Sequence, residues 1–288
     1  MNILITGATG QLGSEIRELS SDYMEYNFFF ENSMGLDIID YSNVNSYIKS
    51  NKIDVIINCA AYTAVDKAEE AKEEAEAVNS IGVYNLAKSI NNVGGKLIHI
   101  STDYVFSGDN YIPYKEEDEI NPIGVYGSTK RHGEEFFINS EVEGIVIRTS
   151  WVYSSYGNNF VKTMLRLGRS KHNLNVIFDQ VGSPTYARDL AKVCLDLVKE
   201  DLTNKSKIYH YSNEGIASWY DFSKAIMEFD NNITCVINPI ESKDYPTPAK
   251  RPHYSVLNKG KIKKDFNIEI PYWRDSLNQC VKKIKKDR

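Results

Sequence analysis

The N-terminal residues show the alternation that organises much of the chain. Asn2-Ile-Leu-Ile-Thr6 is a short apolar run with strand character, and beyond Gly10 the apolar positions Leu12, Ile16 and Leu19 recur at helical spacing. Three more apolar runs, Asp54-Val-Ile-Ile-Asn58, Lys96-Leu-Ile-His-Ile100 and Gly144-Ile-Val-Ile-Arg148, each follow a segment long enough for a crossover helix. Strands alternating with helices predict an α/β fold, a doubly wound parallel sheet covered on both faces. Sites in such sheets lie beyond the carboxyl ends of the strands. The segments Thr6-Gly7, Asn58-Cys-Ala-Ala61, Ser101-Thr-Asp103 and Thr149-Ser-Trp151 all follow strand ends, so they are expected to converge on one crevice.

After about residue 150 the pattern loosens. Pro184, Pro246, Pro248, Pro252 and Pro271 punctuate short elements and predict a smaller α+β lobe that closes over a substrate. The segment Tyr186 to Glu200, with Leu190, Val193, Cys194, Leu197 and Val198 apolar, predicts a helix returning to the main sheet. The expected division is therefore 1–150 with about 185–200 as a dinucleotide-binding domain, and about 151–184 with 201–288 as a substrate-binding lobe. Asp66 to Glu76 is dense in Lys and Glu and is expected to be an exposed helix face without function.

Composition narrows the function classes. Hydrophobic content of 42% and charged content of 25% over 288 residues are those of an ordinary globular protein with a large core. A net charge of -5 gives no electrostatic reason to expect nucleic acid, and the basic end from Lys282 to Arg288 is expected to be a solvated helix end. There is no apolar stretch of the roughly 18 residues a membrane span needs, and the N-terminus lacks the zones of a signal peptide. The four cysteines, Cys59, Cys194, Cys235 and Cys280, are scattered without metal-ligand spacing and suit reduced thiols in the cytoplasm. The triplets Asn204-Lys-Ser206 and Asn232-Ile-Thr234 are accordingly expected to be chance matches to a glycosylation acceptor.

The chemistry resides in two patterns. Gly7-Ala-Thr-Gly10-Gln-Leu-Gly13 stands between a strand and a helix, where free amides and the helix dipole favour a pyrophosphate. Its Gly-x-x-Gly-x-x-Gly spacing departs from the usual Gly-x-Gly-x-x-Gly fingerprint. Some 120 residues later comes Tyr126-Gly-Ser-Thr-Lys130. A tyrosine and a lysine four apart share a helix face, so the ammonium is placed to stabilise a phenolate whose ordinary pKa is about 10. Beside a nicotinamide, such a pair performs reversible transfer of a hydride and a proton between a carbonyl and an alcohol.

These motifs, with Asn58-Cys-Ala-Ala-Tyr-Thr-Ala-Val-Asp66 and Ser101-Thr-Asp-Tyr-Val-Phe106, resemble the extended short-chain dehydrogenases, a Rossmann-like group. Arg148-Thr-Ser-Trp-Val-Tyr153, Gly157-Asn-Asn-Phe160, Asp179-Gln-Val-Gly-Ser-Pro-Thr185 and Tyr245-Pro-Thr-Pro-Ala-Lys-Arg-Pro252 are similar to the dTDP-4-dehydrorhamnose reductase family within that group. The resemblance runs from Met1 to about Trp273 and implies NADH- or NADPH-dependent reduction of the C4 keto group of dTDP-4-dehydro-L-rhamnose. It implies that Tyr126 is the proton donor, that Lys130 holds the nicotinamide ribose and lowers the phenol's pKa, and that Thr102 bonds the reacting oxygen or the phenol. Gly7, Gly10, Gln11, Leu12 and Gly13 would meet the pyrophosphate, Asp37 and Ile38 the adenine, and Ala60, Ala61, Tyr62 and Thr63 the ribose and nicotinamide. Asp103, Tyr104, Trp151 and Arg251 would hold the dTDP-sugar, Arg251 at its diphosphate. Cofactor choice stays open, because Glu31 after Phe28-Phe-Phe30 would repel a 2'-phosphate and favour NADH, whereas Asn32 would tolerate NADPH. Some members of the family hold a metal at a dimer contact of carboxylates, which raises Mg2+ and a homodimer as expectations, although no such cluster stands out in this sequence. Two alternatives accompany this reading: another nucleotide-sugar 4-keto reductase, epimerase or dehydratase, and a non-catalytic NAD(P)-binding regulatory subunit.

Overall fold

The strands β1 (Asn2–Thr6), β2 (Asn27–Glu31), β3 (Val55–Asn58), β4 (Lys96–Thr102) and β5 (Glu143–Thr149) form one parallel sheet in the computed structural model. The structure describes residues 1–203, 205, 207–230 and 232–286; Asn204 and Ser206 of the first glycosylation-type triplet, and Arg288 of the basic end, lie outside them. The spatial order is β2, β1, β3, β4, β5 and then a sixth parallel strand, Ile208–His210. The chain leaves β1 toward one edge and returns on its other side as β3. This reversal opens a crevice beyond the carboxyl ends of β1 and β3.

Side chains alternate across the sheet, and each face has its own core. Ile3, Ile5, Val55, Ile57, Ile98, Ile145 and Ile147 pack with Leu12 and Ile16 of the helix α1 (Gln11–Leu19) and with Leu190 and Cys194 of the helix Ala187–Leu197. On the opposite face Leu4, Ile56, Leu97 and Val146 pack against Val44 and Ile48 of the helix Tyr41–Ser50 and against Leu86 and Phe137 of two further helices. Because both faces are covered, Ile3, Leu4 and Ile5 are all fully buried, which is why β1 reads as an unbroken apolar run.

A third core, of Tyr153, Val161, Leu165, Phe222, Ile226, Trp273, Leu277 and Val281, gathers residues from the stretches assigned above to the smaller lobe. Two assignments differ from the sequence reading. The strand Ile208–His210, within the stretch from 201 given to that lobe, joins the main sheet beside β5, and Ile262 of the helix Gly260–Phe266 enters the same sheet core. Asp66 to Glu76 breaks into two short helices, Val65–Ala68 and Lys72–Glu76, and Asp66 is engaged with the smaller lobe instead of solvent alone, as described below.

Candidate active site

A cleft of about 840 Å³ opens along the carboxyl ends of the strands, within the range of ligand pockets. Of the residues singled out from the sequence, Gly7, Gly10, Gln11, Leu12, Asp37, Ile38, Ala60, Ala61, Tyr62, Thr63, Thr102, Asp103, Tyr104, Tyr126, Lys130 and Trp151 all line it. Gly13, Glu31 and Arg251 do not.

The glycine turn has geometric causes. Gly7 has φ of +63°, and a Cβ there would lie 2.6 Å from the Ala60 backbone nitrogen, so the β1 and β3 loops meet through this residue. Gly13 serves packing, since its Cβ would stand 2.6 Å from Ala8 Cα and from the Gly7 carbonyl oxygen. Helix α1 starts at Gly10 with no side-chain cap and no acidic residue in its first turn. Gln11, from this turn, is held by Asn159, whose Nδ2 donates to its Oε1 at 3.0 Å.

The second strand leaves Glu31 out of the cleft. Its carboxylate accepts from the Tyr47 hydroxyl at 2.8 Å, while Asn32 and Ser33 take the lining positions. Asn32 Oδ1 in turn accepts from the Met34 and Gly35 amides. Of the two residues left open after Phe28-Phe-Phe30, it is therefore Asn32 that faces the cleft, with Glu31 turned to the helix bearing Tyr47.

The helix Val125–Asn139 delivers Tyr126 and Lys130 to the end of β4. Burial pushes the Tyr126 phenol up to about 12, with a hydrogen bond from Thr102 pulling it down and the Asp103 charge pushing it up. Thr102 also caps the short turn Asp103–Val105, accepting from the Tyr104 amide at 3.2 Å. Burial pushes the Asp103 carboxyl up to about 7, and the Ser255 and Thr102 hydroxyls keep it from rising further. Lys130 is 1% exposed, and its ammonium donates to the Ile100 carbonyl oxygen at 2.6 Å. Burial pulls Lys130 down to about 8, partly opposed by Glu134. The ammonium is drawn to a strand-end carbonyl, and the Thr102 hydroxyl is the group that pulls the Tyr126 pKa down here.

Several supporting residues carried no sequence signal. Asn79, in a π-helical turn spanning Ala77–Ile81, accepts from the Tyr62 amide at 2.9 Å and donates to the Thr129 hydroxyl at 3.0 Å, tying the β3 loop to the Tyr126 helix. Beneath Lys130, Glu134 forms a two-pronged buried pair with Arg148 and accepts from Ser101 at 2.5 Å. Trp219 lines the cleft and stacks on Trp151, ring centroids 3.6 Å apart and planes 6° apart. Trp151 has φ of +49°, a strained conformation for a non-glycine residue, retained where its surroundings dictate it. Arg251 is paired with Asp66 at 2.8 Å, and Asp66 also accepts from the Ala249 amide. This pair straps the segment 245–252 to the β3 loop and commits the guanidinium that the resemblance reserved for a diphosphate.

Among the described residues of the single chain no group of three or more His, Cys, Asp or Glu could hold a metal. The adjacent carboxylates of α1, Glu15 and Glu18, are already neutralised by Arg188 and Lys283. Nor is any helix, among the described residues, long and apolar enough to cross a membrane.

The chain is 42% identical to a dTDP-4-dehydrorhamnose reductase of Aggregatibacter actinomycetemcomitans, covering 96% of each. Its fold matches the crystal structure of a dTDP-4-dehydrorhamnose reductase from Clostridium acetobutylicum with TM-score 0.94 and 40% identity, over 99% of this chain and all of that one. The reductase of Bacillus anthracis, solved in complex with NADP, matches with TM-score 0.93 and 37% identity over 98% of this chain and 99% of that one. The family model described as RmlD substrate binding domain matches residues 1–286. Agreement of this extent in sequence, in fold and across both lobes means that the chain belongs to the RmlD substrate binding domain family.

Proposed function

We propose that this protein reduces the C4 keto group of dTDP-4-dehydro-L-rhamnose to give dTDP-L-rhamnose, using NADPH. The observation that carries the reading is the convergence of Tyr126, Thr102 and Lys130 with the Gly7 turn on a single cleft. The near relatives named as dTDP-4-dehydrorhamnose reductases support the substrate, and the relative solved with NADP supports the cofactor.

The chain's own residues fit a dinucleotide. An uncapped helix start without acidic side chains suits a pyrophosphate. With Glu31 turned to Tyr47 and Asn32 and Ser33 in the lining, the end of β2 presents no carboxylate against a 2'-phosphate. The bound cofactor supplies the hydride. Tyr126, protonated throughout the neutral range, donates its proton to the C4 oxygen, and the Thr102 hydroxyl beside it orients that oxygen and eases loss of the proton. Lys130 serves the ribose hydroxyls. Asp103, Tyr104 and Trp151 hold the sugar, while Arg251, paired with Asp66, holds the segment 245–252 in place.

Incubation of the protein with dTDP-4-dehydro-L-rhamnose is expected to consume NADPH, monitored by absorbance, with much poorer turnover of the keto sugar lacking its nucleotide, because remote binding helps drive the chemical step. Binding of NADPH without oxidation by any 4-keto nucleotide sugar would favour the regulatory-subunit reading instead. Replacing Trp151 by Ala is expected to lower kcat/KM about tenfold, roughly 1.4 kcal/mol of lost contact, with NADPH affinity unchanged. Equal losses in NADPH binding and in sugar turnover would remove Trp151 from the sugar subsite.

A further inference from the structure

A polar row crosses the sheet underneath the cleft. Thr6 of β1, Asn58 of β3 and His99 of β4 are register partners in turn, and all three are buried. Asn58 Oδ1 accepts from the Thr6 hydroxyl at 2.7 Å and from the Ala60 amide at 3.1 Å. The Ala60 N–H is only a donor, so the Asn58 side chain cannot be turned the other way without setting donor against donor. Its Nδ2 then faces His99 Nδ1 at 3.0 Å, which makes Nδ1 the acceptor and puts the ring proton of neutral His99 on Nε2. On the far side of the ring, Nε2 stands 3.4 Å from Lys130 Nζ.

We propose that His99 is a positioning residue for Lys130: locked by Asn58 as the Nε2–H tautomer, it offers the lysine a donor, which favours the neutral amine and opposes the ammonium. This inference rests on the roles assigned above to Tyr126 and Lys130. Its consequence is a lysine held closer to its neutral form than burial alone would hold it.

The other groups around Lys130 act in known directions. On its own helix Tyr126 is neutral, and Glu134 favours the ammonium but is shared with Arg148 of β5 and Ser101 of β4. Asp103 follows β4, and the turn Ala77–Ile81 contributes only the uncharged Asn79 and Ser80. Burial and the Lys130 charge both hold the His99 imidazole well below its ordinary range, so the ring is neutral, as the tautomer argument requires.

The test is NMR of the full chain labelled with 15N-histidine, with His99 assigned by the signal lost in His99→Asn. A proton on Nε2 and a bare Nδ1 at pH 7 are expected; a proton on Nδ1, or a charged ring, overturns the proposal. Titration of 13C-labelled lysine, with Lys130 assigned by Lys130→Met, adds a second reading. In Asn58→Asp the carboxylate demands a proton on Nδ1, so Nε2 turns its lone pair to the lysine and the Lys130 pKa is expected to rise by about one unit or more. His99→Gln, whose amide oxygen can face the lysine, is expected to act in the same direction if Asn58→Asp does not fold. An unchanged Lys130 titration in the folded variant overturns the proposal. Neither measurement uses substrate, so failure of the reductase reading would be seen separately, in turnover.

Discussion

Tyr126→Phe is expected to lower kcat by about 10² to 10⁴, the usual worth of a positioned proton donor, while NADPH affinity changes little. The phenol, pushed up to about 12 by burial, is in its acid form at any pH at which the protein would be assayed, so the wild-type reduction rate should not fall through loss of that proton between pH 6 and 9. The hydroxyl alone is removed by the substitution, leaving the T-shaped contact of the ring with Tyr104 at 5.5 Å available to phenylalanine. Single-turnover measurement of NADPH oxidation at saturating substrate separates the chemical step from binding. A variant with near-normal kcat would exclude Tyr126 as the donor.

The second large effect is expected on stability. Arg148 and Glu134 are 1% and 2% exposed and pair at 2.7 Å, and Arg148 also lies over the Phe106 ring. Replacing Arg148 by Met strands a buried carboxylate and is expected to cost about 3 to 5 kcal/mol. The midpoint of urea unfolding should fall accordingly, with the slope unchanged. Adding Glu134→Leu to this variant should recover much of the loss, because removing both partners is far less damaging than removing one. If Arg148→Met alone changes the midpoint by less than the equivalent of about 1 kcal/mol, the pair contributes no more than a surface salt bridge.

The two effects belong to one construction. The Tyr126 helix carries the proposed proton donor near its start and Glu134 two turns further on, and the buried pair with Arg148 fixes that helix to β5. Ser101, immediately before Thr102, donates to the same carboxylate. The strand end that holds Thr102 and the helix that holds Tyr126 are thus joined below the cleft.

Local sequence determined the parts of this protein whose causes are local. β1, β3, β4 and β5 were legible because strands covered on both faces must be apolar along their length, and α1 because Leu12 and Ile16 recur at the helical period. The glycine turn and the spacing of Tyr126 and Lys130 were legible for the same reason: a backbone conformation and a helix face are properties of neighbouring residues. What depended on partners distant in the chain was not. Tyr47 decides that Glu31 leaves the cleft, and Arg251 turns Asp66 from a supposed surface charge into an anchor across 185 residues. The smaller lobe sets Trp219 against Trp151, and sheet register alone aligns Thr6, Asn58 and His99. Each of these is a polar or aromatic contact whose energy exists only at hydrogen-bonding or van der Waals distance, so it depends on the tertiary fold that brings the two side chains together.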